Sequence, residues 1–326
     1  MITVFAVAAI LVVGVALALS QFCLVRSVLG VRRGEFSAAR CLVGLSVLIA
    51  ITLLVMARWR GGETMPTYSP QLSVLLGGLL FGIAARANGG CFVGTLNGLC
   101  KGDWRRLFTV AGWILGYALL RVPPIPSHPQ SAGEVALVLG GLGGLLWWLT
   151  RQAHKRRQGF VPNPAEPHLK GSLTWALMLT TGILVGLLLH SGLPWDPSSL
   201  AKALGHSLGG TPLPPATGAA LAIPLGMALV HGLRRDWQPG IITAKDGLLL
   251  PLGMLMAIGS VWGMGANDSY LFLYVPLGSL HAAFGLSAMA AGILLADWIG
   301  TGGAASWLQS RHLALPTATS LAGWRR

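Results

Sequence analysis

The stretch from Ala85 to Asp103, ARANGGCFVGTLNGLCKGD, decides how the rest of the chain is interpreted. It places polar and thiol side chains among glycines, between two strongly apolar segments. These side chains belong to Arg86, Asn88, Cys91, Thr95, Asn97 and Cys100. A backbone that faces lipid keeps an unbroken helix, because unsatisfied peptide groups are costly in hydrocarbon. The stretch therefore predicts a polar lining that is shielded from lipid inside a membrane protein.

Composition identifies the solvent of this protein. Of its 326 residues, 53% are hydrophobic and only 10% are charged, and apolar runs of about 20 residues recur along the chain. We expect an all-α polytopic membrane protein. The formal net charge of +13 does not indicate nucleic-acid binding, because the basic residues lie in short loops between apolar runs. The four cysteines form neither a disulfide framework nor a zinc pattern, so we expect no cofactor.

The apolar runs predict about nine transmembrane helices. The expected spans cover roughly 2–20, 41–56, 72–85, 107–120, 135–149, 173–190, 216–233, 247–263 and 281–299. Apart from Arg58 and Arg60, the basic loops then fall on one side of the membrane, with the N-terminus outside and the C-terminus inside. Residues 301–326 are expected to form a cytoplasmic tail.

The focal stretch predicts a short re-entrant helix over residues 91–99. Such a helix is about 14 Å long at 1.5 Å per residue, which is under half the thickness of the hydrocarbon core. Cys91 and Thr95 share a face of it, whereas Cys100 points almost oppositely, so Cys91 is the stronger candidate for a path-facing thiol. The glycines expected to have structural roles are Gly89, Gly90, Gly94, Gly98 and Gly265.

An internal repeat changes the predicted architecture most. Setting Gly78 on Gly253 places Gly90 on Gly265 and Cys91 on Ala266, and a second broken helix is expected near residues 265–278. Because the two short segments would enter from opposite sides, we expect two inverted repeats around a central site. The first repeat would cover 1–122 with spans one to four, and the second 171–300 with spans six to nine. Residues 123–170 would supply the linking fifth span and a basic cytoplasmic loop.

Several motifs carry a resemblance to a known family. They are Asn88-Gly89-Gly90-Cys91 followed by Gly94-Thr95, Phe22-Cys23-Leu24, and Gly265-Ala266-Asn267-Asp268-Ser269 with Pro276 and His281 downstream. Together they resemble the YeeE/YedE family of bacterial inner-membrane proteins. The resemblance implies uptake of thiosulfate or a related sulfur compound, through two inverted halves whose short helices meet at a narrow path. It implies that Cys23 and Cys91 match two family cysteines. A third family cysteine aligns with Ala266, which leaves thiosulfate itself open as the substrate.

The candidate substrate path combines these motifs. Its expected residues are Arg86, Asn88, Cys23, Cys91, Thr95, Asn267, Asp268 and Ser269. Arg86 either attracts the anion or extends to the interface. Asp268 either pairs with Arg86 or another base, caps the helix that begins near it, or binds a proton or cation.

Three classes of function remain open from the sequence. The first is a permease for a small sulfur-containing anion, or for a different small solute because of Ala266. The second is a membrane sulfurtransferase or sulfur-relay protein in which Cys91 carries a persulfide. The third is a membrane subunit without its own activity. We expect a transporter and not an enzyme, in contact with the lipid bilayer and with no nucleic acid, and a cytosolic sulfur-carrier protein is an open partner.

Overall fold

A computed structural model shows a protein that is almost entirely helical in its described part. It describes residues 2–20, 22–60, 67–120, 127–128, 131–157, 171–190 and 196–301. The expected cytoplasmic tail 301–326 lies almost entirely outside the described residues, as does the basic loop beyond residue 157.

Thirteen α-helices make up the described part of the chain. They are α1 (Ile2–Ser20), α2 (Leu24–Arg33), α3 (Ser37–Arg60), α4 (Leu72–Asn88), α5 (Phe92–Cys100), α6 (Arg106–Leu119), α7 (Ala132–Arg157), α8 (Gly171–His190), α9 (Pro197–Leu208), α10 (Ala222–Arg234), α11 (Leu249–Trp262), α12 (Asn267–Ser269) and α13 (Leu280–Gly300). Short 3-10 segments at Pro215–Leu221 and Ala244–Leu248 precede α10 and α11, and a π-helical segment, Tyr270–Tyr274, continues α12. Two short strands, β1 (Thr67–Tyr68) and β2 (Ser127–His128), pair antiparallel.

Seven helical segments of the described chain are long and apolar enough to cross a membrane. They cover 4–33, 37–58, 72–100, 132–155, 217–234, 244–262 and 280–300. Two shorter apolar helices, over 106–119 and 175–189, lie where the fourth and sixth spans are expected. The all-α membrane fold is therefore confirmed, while the count of nine spans stays a prediction.

The transmembrane helices pack in a pairwise pattern. Helix α4 packs on α13 and α11 on α6, while α1 packs on α10 and α3 on α8. Helices α4 and α11 also pack on each other, with Gly77 of α4 against Gly259 of α11. The same set of pairs results when α1 is exchanged with α8, α3 with α10, α4 with α11 and α6 with α13. The helix packing is therefore the same for the first and the second group of four helices.

Glycines allow the two strongest helix pairs to approach closely. A Cβ atom at Gly82 would overlap the Met289 carbonyl of α13, and one at Gly112 would overlap the Leu250 carbonyl of α11. Small residues at such crossings let two backbones touch, which is how helices associate in lipid. These contacts hold α4 and α11, the two helices that lead into the breaks described below.

Candidate functional site

The first break in the chain separates α4 from α5. Gly89 ends α4 in the left-handed region at φ 75°, which glycine adopts without strain, and its amide donates to the Arg86 carbonyl. The Gly90 amide donates back to the Ala85 carbonyl at 3.0 Å. Cys91 is then extended, at φ −77° and ψ −174°, and α5 begins at the next residue. The helix predicted over 91–99 is thus present one residue later, with Cys91 as its capping residue.

Two thiols meet at this break. The Sγ atoms of Cys91 and Cys23 lie 3.7 Å apart, and Cys91 has no exposed surface. Each cysteine directly precedes a helix, Cys23 before α2 and Cys91 before α5. The backbone amides of Leu24 and Gly94 are directed at the Cys91 sulfur. Free amides at helix N-termini favour electron-rich groups, so the thiol pair occupies a locally electropositive position.

The side chain of Asn88 stabilises the first break through hydrogen bonds. Its Nδ2 donates to the Gly90 carbonyl and to Thr95 Oγ1, both at 2.9 Å, and its Oδ1 accepts from Thr109 Oγ1 at 2.6 Å. The Arg106 guanidinium donates to the Asn88 carbonyl at 2.6 Å. Both Asn88 and Thr95 are buried. The structure therefore places these two predicted path residues in a polar network that braces the break.

The turn between α5 and α6 is tied to the same network. Asp103 accepts from Arg105 at 2.8 Å and from Arg106 at 3.1 Å. Partial burial by itself raises the pKa of Asp103, but the hydrogen bonds and charges of these two arginines lower that pKa below its usual value. The carboxylate therefore stays ionised and holds Arg106 against the break.

The opposite face of α5 contacts α10. Cys100 donates to the Pro224 carbonyl at 3.3 Å, and Asn97 Oδ1 lies 3.0 Å from the His231 ring. These residues anchor α5 away from the thiol pair, which agrees with the preference for Cys91 over Cys100.

A second break of the same backbone form separates α11 from α12. Met264 takes φ 58°, and the Gly265 amide donates to the Ser260 carbonyl at 2.9 Å. Ala266 is extended at φ −90° and ψ 174°, and α12 begins at Asn267. Positions 89, 90 and 91 are each 175 residues before 264, 265 and 266, the offset that the aligned glycines predict. A non-glycine residue in the left-handed region is uncommon, so this turn is held by its surroundings.

The two breaks touch each other. The Phe92 amide, at the start of α5, donates to Asn267 Oδ1 at 3.4 Å. Asn267 and Ala266 are both buried. The N-terminal ends of α5 and α12 therefore meet inside the protein, although they lie far apart in the chain.

A carboxylate and hydroxyl cluster surrounds the start of α12. Asp268 Oδ2 accepts from the Ser198 amide, in the first turn of α9, at 3.0 Å. Asp196, the N-cap of α9, accepts from the Ser199 amide at 3.2 Å, from the Ser198 hydroxyl at 2.6 Å and from the Ser269 hydroxyl at 3.1 Å. The hydroxyls of Ser198 and Ser269 lie 2.9 Å apart. Asp268 and Ser269, both predicted path residues, are thus members of one cluster.

Arg86 lies apart from both clusters in its contacts. Its guanidinium donates two hydrogen bonds to Asp297 Oδ1 of α13, at 3.0 and 2.8 Å, and Arg32 of α2 pairs with the other carboxylate oxygen. Neither interpretation of Arg86 that the sequence left open included this partner, and in this structure Arg86 pairs with Asp297 and not with Asp268. The ion pairs join α2, α4 and α13 at one end of the bundle.

Sequence reasoning missed several residues of these clusters. Helix α2 falls in a segment expected to be a basic loop, and Asp196, Ser198, Thr109 and Asp297 were not singled out. The run Asp196-Pro197-Ser198-Ser199 carries a detectable signal, because an N-cap Asp before a proline at the first helical position is a common helix start. Thr109 and Asp297 carry no comparable local signal.

The fold and the paired breaks define a multi-pass membrane protein with a buried polar centre. A family described as "Sulphur transport" matches residues 14–250, which is most of the chain. The chain therefore belongs to this family, the YeeE/YedE family that its motifs resemble. The family is one of transporters, so membership indicates that this chain transports a sulfur compound. No curated protein matches the chain at a significant level.

Proposed function

We propose that this protein carries a small sulfur-containing anion, similar to thiosulfate, along a central path at the two breaks. The observation that carries the proposal is the thiol pair. Cys23 and Cys91 place two sulfur atoms 3.7 Å apart at the N-terminal ends of two helices, beside the start of α12. Such an arrangement of thiols and free amides suits a soft, electron-rich ligand.

The chemistry of the thiol pair favours passage over trapping. A dianion loses its hydration shell in a low-dielectric path, and it needs donors in exchange. Thiols are weak and polarizable donors, while helix N-termini supply backbone amides and positive dipole ends. Conduction requires binding that is weak and serial, because a tightly bound ion does not leave. Cys23, Cys91 and the helix starts meet these requirements together.

The inverted repeat is part of the proposal. The pairwise packing of the helices and the equal backbone geometry of the two breaks support halves over 1–122 and 171–300, joined by 123–170. Binding sites between inverted halves, formed by discontinuous helices, are a general design of secondary transporters. We place the substrate where α5 and α12 meet.

Ala266 affects which anion this path accepts. It occupies the position equivalent to Cys91, and its methyl group supplies no donor. The second half instead presents Asn267 and the carboxylate and hydroxyl cluster beside the break. We therefore propose a thiosulfate-like anion as the substrate class, with the thiols contacting it from the first half only.

Orientation and partners complete the proposal. The basic loops favour an N-terminus outside and a C-terminus inside the bacterial inner membrane. A substrate released inside would be handed to cytosolic sulfur metabolism, for which a cytosolic sulfur-carrier protein is the natural partner.

Uptake of radiolabelled thiosulfate into proteoliposomes tests the proposed function. We expect uptake by the wild type, loss of uptake in Cys91→Ala, and unchanged uptake in the control Cys41→Ala, whose thiol lies on α3. Turnover of thiosulfate without uptake would support a sulfurtransferase instead. If the wild type shows no uptake and no turnover, the proposal is contradicted. That result would favour a membrane subunit without its own activity.

A further inference from the structure

The second half of the protein carries a pair of carboxylates beside its break, whereas the first half carries a pair of thiols. Cys23 directly precedes α2 and Asp196 directly precedes α9. The amide of Leu24 is directed at Cys91, and the amide of Ser198 donates to Asp268. The proposed anion path therefore has two neutral, soft groups on the side of the first half and two acidic groups on the side of the second half.

One oxygen atom of this pair of carboxylates is buried without a hydrogen-bond donor. Asp268 has no exposed surface, and its Oδ1 atom is buried without a hydrogen bond. No basic side chain of the described residues pairs with it. An ionised carboxylate in such a place is very costly, and proteins avoid that cost by neutralising the group. Asp268 is therefore expected to hold a proton at rest.

The groups around Asp196 differ from those around Asp268. Asp196 accepts hydrogen bonds from Ser199, Ser198 and Ser269, and Lys202 of α9 interacts with its charge. The other titratable groups facing the pair are Tyr117 of α6 and Tyr274 of the π-helical segment. Neither of them is cationic. Two nearby carboxylates of unequal environment hold one proton more easily than none.

We propose that Asp268 is a proton site, and that its proton crosses the membrane together with the sulfur anion. The inference rests on the proposed function and adds the coupling ion to it. A proton from the outer water forms an O–H bond at the Asp268 carboxylate, and that bond breaks when the proton passes to the inner water. The Ser198 hydroxyl, which contacts both carboxylates, connects Asp268 to the half-buried Asp196. No electrons are transferred, and no bond of the anion changes.

Coupling to a proton answers a requirement of anion uptake. An inside-negative membrane potential opposes the entry of anions. For each negative charge, 100 mV raises the equilibrium ratio of outside to inside concentration by roughly 50-fold. A dianion alone would therefore be driven outward. Each proton that enters with it removes one charge from that opposition, and the proton gradient adds a further inward driving force.

The first test records anion and proton movement in the same proteoliposomes. A pH-sensitive dye is trapped inside, the membrane potential is clamped at zero, and an inward gradient of labelled thiosulfate is imposed. We expect the lumen to acidify as thiosulfate enters the wild type and the control Glu35→Gln, whose carboxylate is exposed. In Asp268→Asn we expect acidification to be lost and uptake to become independent of outside pH. Thiosulfate uptake without acidification in the wild type would overturn the proton site and leave the proposed function standing.

A second test needs no transport. Infrared difference spectra of the purified protein at neutral pH detect a protonated carboxyl group directly. We expect its band in the wild type and in Glu35→Gln, and its loss in Asp268→Asn, which keeps the size and the acceptor oxygen of the side chain. Absence of the band from the wild type would overturn the inference, even if thiosulfate is not transported.

Discussion

Replacing Gly94 by alanine probes whether the two thiols must lie side by side. A Cβ atom built at Gly94 would lie 2.8 Å from Cys23 Sγ and 3.9 Å from Cys91 Sγ. Ordinary contact begins near 3.4 Å, so the Cys23 sulfur has to move by about 0.6 Å. The added methyl group therefore changes the distance between the two sulfur atoms, while both side chains remain thiols.

The expected cost in stability is small. Inserting a methyl group into a packed site costs about 1–3 kcal/mol, and replacing glycine by alanine inside a helix returns about 1 kcal/mol. The net loss in the free energy of unfolding is thus about 0–2 kcal/mol. Gly98, one turn later on α5, supplies a matched control, because its Cβ atom would meet only Arg106, at 3.5 Å. We expect Gly98→Ala to be as stable as the wild type or slightly more stable.

Uptake of thiosulfate should respond far more strongly than stability. A 1 Å misplacement of a positioned group costs about 100-fold in reactions that depend on its geometry, so we expect uptake in Gly94→Ala to fall by about tenfold or more. The assay is initial uptake in proteoliposomes, with thermal unfolding in detergent as the check on folding. If Gly94→Ala folds normally and transports like Gly98→Ala, the thiol pair does not line the path and the reasoning fails.

Three further predictions follow from contacts in the site. Replacing Asn88 by alanine removes three buried hydrogen bonds. Because each unsatisfied buried group costs about 1–3 kcal/mol, the midpoint of thermal unfolding should fall clearly. An unchanged midpoint would contradict the bracing role of Asn88. Mild oxidation of a variant that retains only Cys23 and Cys91 should form a disulfide, because the two sulfurs need to approach only from 3.7 Å to about 2 Å. The disulfide should block uptake until a reductant is added. Uptake that survives full oxidation would argue against the path. Replacing Arg86 by lysine keeps the charge but loses the double hydrogen bond to Asp297. Thermal stability should therefore fall modestly, while the KM for thiosulfate is unchanged. A large rise in KM with normal stability would mean that Arg86 binds the anion.

Local physics made much of the fold predictable. Long apolar runs form helices in lipid because every peptide group has to be satisfied within its own segment. The glycine pair Gly89-Gly90 stops such a helix, since Gly89 takes a left-handed conformation that other residues rarely adopt. The boundary of α5 was predicted to within one residue for this reason.

The missed elements have identifiable physical causes. Helix α2 carries three arginines, and their number favoured a loop although Leu24, Val25, Ser27 and Gly30 of this helix are buried. A short amphipathic helix that packs inside a membrane protein is poorly distinguished from a basic loop by hydropathy alone. The π-helical segment after α12 likewise has no simple sequence signal.

By itself, the sequence determined the membrane setting, the positions of the breaks and the residue types beside them, because hydropathy and glycine conformation act over a few neighbouring residues. Only the tertiary structure decided which of those residues meet. Cys23 reaches Cys91, Asp268 reaches the start of α9, and Arg86 reaches Asp297, although these partners lie far apart in the chain. Such contacts depend on how helices approach across the bundle, and that approach is set by close packing at crossings, which spacing along a single chain does not encode.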